Sequence, residues 1–236
     1  MFYIKQTTKE ICEEAARLFV GRVLEKIAKK GVFHLSLSGG QTPKVLFEEL
    51  VKDKWSRQIP WEKIVFFWGD ERFVPADDPQ SNQKMAREYL LDHIPAKQVY
   101  PVPVLDTAAA SAEAYEKLLY TAFAGFPRFD LVLLGMGADG HTASLFPGTS
   151  ALEETRRLVC PVRPAGESME RITLTYPVLN QAGEVWFFVT GKEKAFPVRQ
   201  IFHEDANKEK LPVQRIHPAS GKVIWFMDAQ AAAFIQ

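Results

Sequence analysis

The stretch Gly135-Met136-Gly137-Ala138-Asp139-Gly140-His141 sets a carboxylate two positions from an imidazole inside a glycine-rich turn. Such a pairing is the usual way to orient a general base, because histidine exchanges protons near neutral pH and a carboxylate can hold its ring. A second segment, Ser38-Gly39-Gly40-Gln41-Thr42-Pro43, offers different chemistry. Its glycines let backbone approach a ligand closely, and a helix opening at Thr42-Pro43 turns N–H groups toward an anion such as a phosphate. Gly69-Asp70-Glu71-Arg72 gathers three charges behind an apolar run, while Arg171 and Lys194 are cations able to complete an anion site. Taken singly, charged triplets and surface cations are more often solvated groups, and glycine-rich turns are often only turns. Their weight depends on where the fold puts them.

The chemistry-bearing segments sit at the ends of predicted strands. Apolar runs at 32–37, 64–68, 129–134, 171–175, 185–189 and 223–227 read as strands, several without alternation, as in a sheet buried on both faces. Helical spacing starts at the capping-box pair Thr7 and Glu10 and runs to Gly31; further helices are predicted from Thr42, over 81–94, over 107–123 and over 192–202. Strands separated by helices predict an α/β fold: a single Rossmann-like domain with a mostly parallel sheet covered by helices on both faces. One domain is expected over 1–236, with room for a small lobe near 150–170. Ligands of open parallel sheets bind beyond the carboxyl ends of the strands, which is where these segments fall.

Several function classes are disfavoured. Lys plus Arg and Asp plus Glu are both 29, so there is no basic excess for nucleic acid. The two cysteines, Cys12 and Cys160, form no CxxC pair, and both read as buried reduced thiols. The N-terminus lacks the pattern of a signal peptide, and no apolar run reaches the roughly 20 residues that span a bilayer. A cytoplasmic chain is expected, a monomer or weak homo-oligomer, with no membrane or nucleic-acid partner. Gly135, Gly137 and Gly140 spell a dinucleotide fingerprint, but Pro147-Gly148 would cut the required helix short and no acidic residue ends a following strand. Ser144 lies near His141 and Asp139, yet G-x-S-x-G is missing and one short loop is a poor frame for a triad. His141 has no second His or Cys at ligand spacing, so neither a metal nor a cofactor is expected.

Taken together, SGGQTP at 38–43, GDERFVP at 69–75, SN at 81–82, GMGADGHTASLFPG at 135–148, RITLTYPVLN at 171–180, TGKEKA at 190–195 and LPVQRIHP at 211–218 resemble the glucosamine-6-phosphate isomerase/6-phosphogluconolactonase family. The pieces occur in family order and cover nearly the whole chain, and GDER and DGHTASLFPG are the forms of its lactone-opening branch. The resemblance implies hydrolysis of 6-phospho-D-glucono-1,5-lactone in the oxidative pentose phosphate pathway. It also implies a general base at His141 and phosphate contacts from Gly39, Gly40, Gln41, Thr42, Arg171 and Lys194. Asp139 would hold the imidazole or touch substrate. Arg72 or backbone N–H groups would meet the oxyanion, and Asp70 a sugar hydroxyl. The 211–218 loop receives no role. The rival readings are an aldose–ketose isomerase or deaminase of the same family and a non-catalytic sugar-phosphate sensor.

Overall fold

Helix α1 (Thr8–Lys30) shows how local chemistry sets the elements. Thr7 and Glu10 close a reciprocal cap, with Glu10 N–H donating to Thr7 Oγ1 at 3.2 Å and Thr7 N–H to Glu10 Oε2 at 3.0 Å. Gly31 ends the helix at φ 81°, a left-handed position that glycine takes without strain. Ile11, Ala15, Phe19 and Val23 recur every four residues and are buried, so one stripe of the helix faces the core. The computed structural model describes residues 1–203 and 211–235.

Seven strands form the main sheet: β1 (Phe2–Lys5), β2 (Phe33–Leu37), β3 (Ile64–Trp68), β5 (Gln98–Val99), β6 (Leu131–Gly135), β9 (Glu184–Val189) and β10 (Lys222–Asp228). Their order is β1-β10-β9-β6-β2-β3-β5, and every pairing is parallel. All residues of β3 and β9 are buried, as a sheet covered on both faces requires. The other helices are α2 (Gln41–Leu50), α3 (Asp53–Ser56), α4 (Asn82–Tyr89), α5 (Ala108–Ala122), α6 (Tyr176–Leu179) and α7 (Ala195–His203).

The mostly parallel α/β expectation holds, with additions. A second, antiparallel sheet has the order β4-β8-β7, where β4 is Asp70–Arg72, β7 Val159–Val162 and β8 Arg171–Leu174. The region expected to leave room for a lobe supplies β7, and its Val159, Cys160 and Val162 join the one core with Ile172 and Leu174 of β8. The helix read over 81–94 ends at Tyr89, and a 3₁₀ turn at Leu91–His93 follows. No helix among the described residues is long and apolar enough to cross a membrane.

The topology locates the crevice. From β2 the chain steps outward through β3 to β5; from β6 it returns on the other side through β9 to β10. β2 and β6 are neighbours, so the connections leaving their carboxyl ends diverge and open a gap between them. The 38–42 and 136–141 segments are those two connections. The segment after β3 is fixed from below: Tyr115 Oη accepts from Trp68 N–H and donates to Trp68 O, both at 2.9 Å. Gly69 N–H then donates to Leu37 O at 2.9 Å, and Leu174 N–H to Gly69 O at 2.8 Å, which launches β4 against β8.

Candidate active site

A cleft of about 370 Å³ opens at this switch point. Gly39, Gly40, Gln41, Thr42, Asp70, Arg72, His141, Arg171 and Lys194 all line it, so one cavity unites site residues that stand far apart in the chain. Asp139 does not line the cleft but stands behind His141. His141 Nδ1 lies 2.6 Å from Asp139 Oδ1, and the His141 backbone N–H donates to the same oxygen at 3.2 Å. Partial burial pushes the Asp139 carboxyl up, but the His141 N–H and imidazole outweigh it and hold the group below the ordinary carboxylate value. Asp139 therefore stays ionised at neutral pH and accepts a hydrogen bond from Nδ1–H, leaving Nε2 as the acceptor.

Two glycines are required by this geometry. A Cβ on Gly137 would overlap His141 Nδ1 and Cε1 and stand 2.5 Å from Asp139 Oδ1. A Cβ on Gly39 would overlap the Asn82 amide oxygen and stand 2.9 Å from its nitrogen. The 211–218 segment, without a role in the sequence, supports the dyad from outside. Val213 N–H donates to Gly140 O at 3.0 Å, Leu211 lies where a Gly140 Cβ would go, and Tyr176 Oη donates to Pro212 O at 2.9 Å.

The cationic side is built by the small sheet. Arg72 and Arg171 are direct partners across the antiparallel β4–β8 ladder. Like charges opposite one another destabilise a sheet, so the pair makes physical sense where an anion is to be held. Arg72 Nη1 donates to Gln80 O at 2.6 Å and Arg171 Nη2 to the half-exposed Glu167 at 2.6 Å. The Nε atoms of both are buried with no partner among the described residues. Phe146 lies under both halves of the site: its ring centroid is 4.1 Å from that of His141 and 5.3 Å from the Arg171 guanidinium carbon.

Several contributors carried no supporting role in the sequence. Glu71 is 2% exposed and points away from the cleft, accepting from the backbone N–H groups of Arg72, Asn82 and Gln83 and from Ser81 Oγ. It ties the start of α4 to β4; burial pushes its carboxyl up despite those donors. Asn82 donates to Asp70 O at 3.0 Å and lines the cleft. Ser144 is fully buried and donates to Asp70 Oδ2 at 2.7 Å, so its hydroxyl positions a carboxylate and is no nucleophile. Ser81 caps α4 by accepting from Lys84 N–H, a local signal; partners some seventy positions away carry none. Among the described residues, no three His, Cys, Asp or Glu side chains gather into a set that could hold a metal ion.

Fold and site define a class: a doubly wound α/β protein whose switch-point crevice joins an imidazole–carboxylate pair to a group of cations, suited to work on a small anionic substrate. The chain belongs to the glucosamine-6-phosphate isomerase/6-phosphogluconolactonase family, whose model matches residues 6–225. It is 44% identical to the 6-phosphogluconolactonase of Synechocystis over 94% of this chain and 93% of that protein. It is 45% identical to that of Nostoc over 88% of this chain and 86% of the relative. A solved structure of 6-phosphogluconolactonase from Trypanosoma brucei superposes with a TM-score of 0.88 at 32% identity, covering 100% of this chain and 98% of the other.

Proposed function

We propose that this chain hydrolyses 6-phospho-D-glucono-1,5-lactone to 6-phospho-D-gluconate, as a step of the oxidative pentose phosphate pathway, with water activated by His141. The observation that carries the reading is the 2.6 Å His141–Asp139 contact at the wall of a cleft that also holds Arg72, Arg171 and Lys194. Identity to relatives named as 6-phosphogluconolactonases over nearly the whole chain supports the same substrate.

A δ-lactone is a reactive ester, so no covalent nucleophile is needed. His141 Nε2 takes a proton from water as the oxygen attacks the lactone carbonyl. The tetrahedral oxyanion then collapses, the bond to the ring oxygen breaks, and protonated His141 returns the proton to that oxygen. Asp139 keeps the ring in one tautomer and stabilises its charged form. General base catalysis contributes roughly 10²–10⁴-fold, and anchoring the phosphate supplies orientation.

The phosphate is held by the 39–42 loop, Arg171 and Lys194. The register that sets Arg72 opposite Arg171 favours Arg72 joining that clamp. Oxyanion stabilisation then falls to backbone N–H groups of the glycine-rich turns. Asp70, fixed by Ser144 at 2.7 Å and only loosely met by Asn82 at 3.4 Å, retains capacity to accept from a sugar hydroxyl.

The deciding experiment gives the protein freshly made lactone and, separately, glucosamine 6-phosphate. Acid release well above spontaneous hydrolysis with no ammonia is expected, because 142–147 reads Thr-Ala-Ser-Leu-Phe-Pro, without the carboxylate that the isomerase branch carries shortly after its DGH motif. Faster ammonia release than lactone opening would contradict the proposal.

A further inference from the structure

The cleft does not end at the arginine pair. On its far side lies a second cavity of about 470 Å³, larger than the inner one. Gly40, Gln41, Arg72, Asn82 and Arg171 line both, so they form a partition between an inner and an outer lobe. His141, Gly137 and Lys194 border only the inner lobe; Lys44, Lys84, Met85, Tyr89 and Met169 border only the outer one. Nothing in the lactone chemistry uses those outer residues.

The outer lobe is strongly cationic. Lys44, Lys84, Arg72 and Arg171 face it from α2, α4, β4 and β8, and Glu88 is the one carboxylate on its wall among the described residues. Both lysines are half-buried and held in place: Lys44 Nζ stands 4.0 Å from the Tyr89 ring centroid, and Lys84 Nζ donates to Asp77 O at 2.9 Å. Holding a flexible ammonium in position reduces the entropy lost when an anion binds. Two arginines forced side by side by strand register gain from an anion on either face of the pair. Met85, Met169 and Pro79 add an apolar wall, which inorganic phosphate alone would leave unused.

We propose that the outer lobe is a second anion site, which takes a phosphomonoester carrying an apolar or flat substituent, with its phosphate on Lys44, Lys84 and the outer face of the Arg72–Arg171 pair. Because that pair serves both lobes, occupancy of one weakens the other, and the coupling is reciprocal. An outer ligand therefore raises KM for an anionic substrate of the inner lobe. The inference stands apart from the lactone reading, since it needs only the cavity and its charges.

Methionine methyl groups report the location directly. Met85 and Met169 line only the outer lobe and Met136 only the inner one. The full chain, labelled at methionine methyls, is titrated with adenosine monophosphate, with inorganic phosphate and with neutral adenosine, and followed by NMR. Saturable shifts of Met85 and Met169 are expected with the monophosphate, weaker ones with phosphate and none with adenosine. Lys44→Gln and Lys84→Gln should each weaken the effect roughly five-fold, and added salt should weaken it further. Lys194→Gln should leave the outer shifts within about two-fold, as a contact beyond the partition is lost only through screened charge. Shifts confined to Met136, no shift at millimolar ligand, or equal binding by the lysine variants would overturn the proposal. A failure of lactone turnover in the separate assay would leave these readouts untouched.

Discussion

Gly137→Ala isolates the dyad without deleting either partner. The added Cβ would overlap the His141 ring and stand 2.5 Å from Asp139 Oδ1. Ordinary contact begins at about 3.5 Å, so the ring must give way by about 1.4 Å and the carboxylate by about 1 Å, which disrupts the 2.6 Å hydrogen bond. A misplacement of that size costs about 10²-fold, and full loss of a general base 10²–10⁴-fold. The expected fall in kcat is therefore two to four decades, about 3–5 kcal/mol in activation free energy. The proposed phosphate contacts lie on other elements, so KM should move far less. The assay is steady-state lactone opening, with circular dichroism to confirm folding. Gly135→Ala serves as the packing control, because its Cβ would meet nothing within 4 Å. The decisive comparison adds Gly137→Ala to His141→Asn: two changes acting through one group are non-additive, so the double variant should be little slower than His141→Asn alone. Full additivity would refute the reasoning, since the methyl group would then act elsewhere.

Other expectations follow from the same geometry. Arg171→Ala and Lys194→Ala should each raise KM for the phosphorylated lactone about ten-fold with kcat little changed, and wild type should use unphosphorylated gluconolactone poorly; equal use of both lactones would remove the phosphate clamp. Glu71→Gln sets an amide NH₂ against backbone N–H donors that now share a carboxylate, and should cost about 1–3 kcal/mol of stability in urea unfolding. Unchanged stability would mean that the α4 anchor is misassigned. Lactone turnover should persist in EDTA; loss that one added metal restores would require a metal step.

The parallel sheet was legible because its central strands are runs such as Ile64–Trp68, too short for helices and apolar throughout. β1 and β5 escaped notice: they are short edge strands of four and two residues whose side chains are exposed or half-buried, so no period marks them. The antiparallel sheet was hidden for another reason. Its β4 is Asp70-Glu71-Arg72, which reads as a charged loop because its polar side chains are satisfied by Ser144, Asn82 and the start of α4. The residues that line the cleft were readable as residue types beyond strand ends. What could not be read was their mutual support: the 211–215 brace on Gly140, Phe146 beneath both His141 and Arg171, and the facing arginines all depend on long-range register.

The central claim is that His141 activates the water. Its most direct test is the kcat of His141→Asn with freshly prepared 6-phosphogluconolactone, measured after subtraction of spontaneous hydrolysis, together with the binding of 6-phosphogluconate to the same variant. The account predicts a folded protein that binds the phosphorylated product as wild type does and turns over two to four decades more slowly. A folded variant with near wild-type kcat would contradict it.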